Sequence, residues 1–229
     1  MDWALFNTDG VLFLLRWGHF IFGIAWIGML WYFNFVQGPF FAVAAPEVKT
    51  SATQNLVPRA LWYFRWGAMG TFLTGWAIIG MRMHQGFVVG SSWGVTILTG
   101  AIMGTLMWFN VWFVIWPRQK KIVAAANGEK VDNLPVLARR AFLASRTNTL
   151  LSVPLLFFMA AGRNLTLHGE FSKVGIWFGA LLAMLLLIEI NALTADKGPT
   201  TKPIEKVKGV IHCGLALTVI FYVLLEVIL

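Results

Sequence analysis

Six stretches of about twenty residues, mostly apolar, alternate along the chain with short segments that hold most of its Lys and Arg. They run from Val11 to Phe33, Leu61 to Met81, Thr96 to Trp116, Phe142 to Ala161, Val174 to Leu193 and Gly209 to Leu229. A hydrocarbon core about 30 Å thick is crossed by about 20 residues of α-helix. The period-two alternation of barrel strands is absent, and the stretches are about twice as long as such strands. The pattern therefore predicts an all-α fold, a polytopic transmembrane helix bundle of about six helices forming one domain over residues 1–229.

Composition narrows the class further. Of the 229 residues, 58% are hydrophobic and 12% charged, against about 25% charged in an ordinary soluble domain. A mean hydropathy of +0.71 also excludes a disordered chain. The net charge of +8 follows from topology: 13 of the 18 Lys and Arg fall in or beside the first, third and fifth connections. Basic residues are retained on the cytoplasmic side, so both termini, with Asp2 and Asp9, are expected outside in the periplasm. The lipid bilayer is the first partner, and no basic patch points to nucleic acid. Cys213 stands alone, which leaves no disulfide framework, zinc spacing or Cys-x-x-Cys-His haem attachment.

Ionisable and carboxamide side chains inside the spans cost several kcal/mol unless they serve a purpose, about 2.5–3.5 kcal/mol for a central charge on insertion scales. At a rise of about 1.5 Å per residue, Arg65, Asn110, Arg146, Asn148, Glu189 and His212 fall at one depth, on five helices. Ser145, Asn148, Thr149 and Ser152 share one face of the fourth span. An outer group comprises Arg16, His19 and Glu226, with Arg16 and Glu226 close enough in depth to pair. Along the first span, Arg16, His19, Gly23, Trp26, Leu30, Asn34 and Gln37 form one arc, which predicts a buried face. Plainer readings exist: the arginines and Glu226 could snorkel, the asparagines could bind helix to helix, and Gly67, Gly70, Thr71, Thr74, Gly100 and Gly104 read as close-packing seams.

No nucleophile elbow, phosphate loop, dinucleotide fingerprint or metalloprotease helix is present. The inner layer instead combines guanidinium forks, carboxamides, a carboxylate and an imidazole. That set suits a planar, polar, partly anionic molecule: Arg65 and Arg146 for its oxygens, Asn110 and Asn148 to orient it, and Glu189 or His212 to move a proton.

Four segments carry a family resemblance: RWGHFIFGIAWIG from Arg16 to Gly28, WFNVWFVIWPRQKKIV from Trp108 to Val123, RRAFLASRTNTLLSVPLLFFM from Arg139 to Met159, and GPTTKPIEKVKGVIHCG from Gly198 to Gly214. In order and spacing they resemble the membrane domain of the bacterial membrane-bound urate oxidases. That resemblance implies oxidation of urate and transfer of electrons to a periplasmic cytochrome c or a larger membrane complex. His19, Asn110, Arg146, Thr147, Asn148 and His212 lie within the matching segments, whereas Arg65, Glu189 and Glu226 rest on depth alone. The first segment also resembles other membrane haem proteins such as the protoporphyrinogen oxidase of bacterial type. It makes His19 a candidate ligand to haem b iron, with Arg16 beside it. The cytochrome c module of the family is missing here. A non-catalytic accessory subunit and a small-molecule transporter are the competing expectations.

Overall fold

The computed structural model describes residues 3–229, so Asp2 lies outside the described residues. Eight α-helices follow one another: α1 Thr8–Val43, α2 Pro46–Asn55, α3 Val57–His84, α4 Ser92–Ala126, α5 Leu134–Asn164, α6 Val174–Thr194, α7 Lys202–Glu205 and α8 Val207–Ile228. No strand occurs among the described residues. Five helices, α1, α4, α5, α6 and α8, are long and apolar enough to cross a membrane. α3 has the length, 28 residues, but Arg65 and two flanking arginines make it less apolar.

Local chemistry sets the helix starts. Asn7 accepts from the Gly10 amide at 2.9 Å and Ser91 from the Gly94 amide at 3.1 Å, satisfying amide groups that a helix start leaves open. Pro46, Pro58, Pro135 and Pro203 occupy first turns, where the missing N–H costs nothing.

Two helices run well past the apolar windows. α1 continues to Val43 and α4 to Ala126, at 36 and 35 residues, each about 50 Å long. Each contains a π segment, Tyr32–Gln37 in α1 and Asn110–Ile115 in α4. Both segments end two residues before a proline, Pro39 and Pro117. Proline lacks an N–H and crowds the carbonyl four residues back, and widening to i→i−5 bonding relieves the conflict without breaking the helix. Pro154 likewise sits inside a continuous α5.

α5 is the central post, packed against α4, α6, α8 and α1. α1 lies mainly along α3, where small residues permit close approach. A Cβ on Gly67 would stand 2.8 Å from the Trp26 backbone nitrogen. Gly100 and Gly104 of α4 face Met159 and Leu155 of α5 in the same manner. Trp26, Phe64, Phe158, Trp177 and Phe221 fill the interior. The first, third and fifth connections meet at one end of the bundle: Gln54 Nε2 donates to the Ala126 carbonyl at 2.6 Å, and Arg139 reaches Asp196 and Glu205. The other connections meet at the opposite end, where the Ser92 hydroxyl accepts from the Leu167 amide at 2.8 Å.

Candidate functional site

Asn110 opens the π segment of α4, and its carboxamide is the hub of an interior cluster. Its Nδ2 donates to Asn148 Oδ1 of α5 at 3.0 Å and to Glu189 Oε2 of α6 at 2.9 Å. The Asn148 amide in turn donates to the Met107 carbonyl at 2.9 Å. Asn110 and Asn148 are 0% exposed and Glu189 6%. Three of the six residues expected in one layer are thus hydrogen-bonded together from three helices. Two acceptors remain in the cluster, Asn110 Oδ1 and Glu189 Oε1, both buried and without a donor. Each unsatisfied buried acceptor costs about 1–3 kcal/mol, and the side chains around the pair supply no donor for it.

A second contact repeats the theme. Asn34, within the π segment of α1, donates through Nδ2 to the Leu30 carbonyl at 2.9 Å and to Ser145 Oγ of α5 at 2.8 Å. Trp31 Nε1 donates to Ser152 Oγ at 3.0 Å. The polar stripe of α5 therefore divides, with Asn148 turned to α4 and α6 and Ser145 and Ser152 turned to α1. At each π segment a side-chain amide donates to a nearby backbone carbonyl, supplying a donor where the i→i−4 ladder is interrupted.

The other expected members of the layer do not join the cluster. Arg146 is buried, 5% exposed, with Nε and Nη1 lacking any acceptor, and its guanidinium lies 5.2 Å from the Phe142 ring centre. It lies two positions from Asn148, about 200° of helical rotation, which turns it away from the α4 side where Asn148 bonds. Arg65 stacks on Trp116, 3.9 Å from the ring centre. His212 is exposed on the outer face of α8. Equal depth brought these residues level, but helical phase turned them apart.

The outer group is corrected too. Arg16 and Glu226 are both exposed. Among the described residues the ion pairs are those of Arg139 with Asp196 and Glu205 and of Lys173 with Glu170, so the expected Arg16–Glu226 pair is absent. The arc on α1 is buried at Trp26, Leu30 and Asn34 and opens toward Arg16.

His19 sits in the α1–α3 seam, its Nδ1 3.1 Å from Thr74 Oγ1. The Thr74 hydroxyl donates to the Gly70 carbonyl at 2.6 Å, an arrangement that suits the tautomer of His19 in which Nδ1 carries the proton and donates to Oγ1. Nε2 then keeps its lone pair, the state a metal-ligating imidazole requires. Nε2 is then the atom that would hold a haem iron. No group of three or more His, Cys, Asp or Glu suited to a bare metal ion occurs among the described residues.

The all-helical fold, with several helices of membrane-crossing length around a sealed carboxamide–carboxylate cluster, is consistent with a multi-pass membrane protein that has an interior polar site. Residues 83–220 match the urate oxidase N-terminal family, and the chain belongs to that family. The matched span takes in Asn110, Arg146, Asn148, Glu189 and His212. No curated protein and no solved structure matches the chain.

Proposed function

We propose that this protein is an oxidoreductase of the bacterial inner membrane that oxidises a planar heterocycle of the urate class and passes the electrons to a separate cytochrome c or respiratory partner. The observation that carries the reading is the pair of unpartnered acceptors, Asn110 Oδ1 and Glu189 Oε1, in a chain of this family. A urate-like ring presents N–H donors along its edge, and two such acceptors on hydrogen-bonded side chains orient it. Glu189 takes the ring proton released as electrons leave, and Asn110 holds the carboxylate in place through Oε2. Asn148 fixes Asn110 in turn.

His19 would hold a haem b, with Thr74 fixing the imidazole and leaving Nε2 as the donor. Such a haem carries electrons one at a time. The test is urate-dependent reduction of cytochrome c by the protein in isolated membranes. Glu189→Gln keeps the shape and the hydrogen bond from Asn110 while losing the base, and kcat is expected to fall about 100-fold or more with the melting temperature little changed. Wild-type turnover in this variant would remove Glu189 from the chemistry and with it the proposed site.

A further inference from the structure

Where the start of α3 meets the end of α4, a cavity of about 300 Å³ lies apart from the carboxamide cluster. Leu61 of α3, Trp116, Lys120, Val123 and Asn127 of α4, and Glu129 just beyond α4 line it. Its level in the bilayer follows from the apolar stretches. Leu61 opens the second and Trp116 closes the third, so the inner wall sits where hydrocarbon gives way to headgroups, the level at which tryptophan collects. Charge is ordered along the cavity. At the inner wall two cations share the Trp116 ring, the Arg65 guanidinium 3.9 Å and Lys120 Nζ 5.7 Å from its centre. At the outer rim Gly128, with φ +93°, turns the chain back, and the Glu129 amide donates to the Ala124 carbonyl at 3.1 Å, which sets Glu129 over the last turn of α4. Asn127 Nδ2 donates to the Val123 carbonyl at 2.8 Å, leaving its Oδ1 to accept. Lys120 and Glu129 thus line one cavity, yet among the described residues neither enters an ion pair.

A cation on the inner side and a carboxylate on the outer side call for a ligand with the complementary order: apolar chains, then an anion, then a cation that can donate hydrogen bonds. Phosphatidylethanolamine carries its groups in that order. Phosphatidylglycerol ends in a neutral glycerol and leaves Glu129 without a cation. Phosphatidylcholine ends in a quaternary ammonium, which has no N–H for Glu129 or for Asn127 Oδ1. A soluble anion would leave the apolar wall of Leu61 and Val123 uncovered. We infer that this cavity is a binding site for phosphatidylethanolamine, its phosphate on Lys120, its ammonium on Glu129 and Asn127 Oδ1, and its acyl chains continuing into the bilayer. Arg65, behind the Trp116 ring, adds positive potential on the phosphate side. The charge-assisted hydrogen bonds at both ends of the headgroup supply the selectivity.

The test is native mass spectrometry of the full chain in non-ionic detergent, titrated in turn with the dioleoyl forms of phosphatidylethanolamine, phosphatidylglycerol and phosphatidylcholine. One phosphatidylethanolamine is expected to be retained, with a preference of about tenfold or more over the other two. Glu129→Gln should erase that preference, because the ammonium loses its charged partner. Lys120→Gln should weaken phosphatidylethanolamine about tenfold through loss of the phosphate contact. Both side chains are exposed, so neither variant disturbs the packed interior, and circular dichroism should show unchanged helix content. Equal retention of the three lipids, a preference for phosphatidylglycerol, a wild-type preference in Glu129→Gln, or wild-type affinity in Lys120→Gln would overturn the proposal.

Discussion

At the scale of single residues, the decisive distinction is between depth and direction. Counting residues from each span's midpoint puts Asn110, Asn148, Glu189, Arg146, Arg65 and His212 level with one another, but only the first three are joined by hydrogen bonds. Depth was legible because rise per residue is nearly constant. Direction required the phase of each helix. On α8 the phase was readable: His212 belongs with Ala216, Val219 and Val223, the exposed face of the helix. Nothing comparable marked Arg146, which is buried as its place in the layer predicts but does not join the cluster. The cluster is also energetically coupled. Asn110→Ala removes the donor to both Asn148 Oδ1 and Glu189 Oε2, and should destabilise the protein by about 1–3 kcal/mol. Combined with Glu189→Ala it should show a coupling of about 0.5–3 kcal/mol, measured by a double-mutant cycle in detergent unfolding.

At the scale of elements, proline position accounts for what the hydropathy windows missed. The windows end the first and third spans at Phe33 and Trp116 because polar residues follow. The backbone continues as helix through Pro39 and Pro117, since a π segment absorbs each proline. Asn34 and Asn110 lie inside these segments, so the same distortion that saves the helix sets the azimuth of both buried carboxamides. Pro117→Ala removes the reason for the π segment in α4 and should turn Asn110 away from Asn148 and Glu189. The expected outcome is loss of turnover with helix content by circular dichroism unchanged. The α1–α3 seam gives a cleaner packing prediction. Gly67→Val places atoms against the Trp26 backbone and should cost about 1–3 kcal/mol, whereas Gly28→Ala, with open space around it, should leave the unfolding midpoint unchanged.

At the scale of the whole molecule, charge and connection order predict which end is which. Arg139 and Arg140 donate to the carbonyls of Thr194, Ala195 and Asp196 at the end of α6, and Arg139 pairs with Glu205 at 2.5 Å. Hydrogen bonding from this guanidinium holds the Glu205 carboxyl below the usual range. A lowered carboxyl pKa in the folded state stabilises above the unfolded value, near 4.5, and that contribution is lost as pH falls through the folded value. Because the site is partly solvated, the effect is at most about 1 kcal/mol. The melting temperature of Glu205→Gln should lie slightly below the parent at pH 7 and converge with it at acid pH. The same end of the bundle gathers the connections that hold most of the Lys and Arg, and retention of positive charge inside predicts that it is the cytoplasmic face. Cys213 is the sole native cysteine, so a Cys213→Ser background permits single-cysteine labelling in intact cells. A cysteine at Lys130 or Lys197 should resist a membrane-impermeant maleimide until the membrane is opened, and one at Gly169 should react at once. The start of α1 and the end of α8 both lie at the Gly169 end only if α3 crosses along with the five more apolar helices, so labelling at Asp9 decides whether this arginine-bearing helix is a true span. Reaction at Asp9 together with Gly169 establishes six crossings, and protection of Asp9 alone would mean that α3 does not cross.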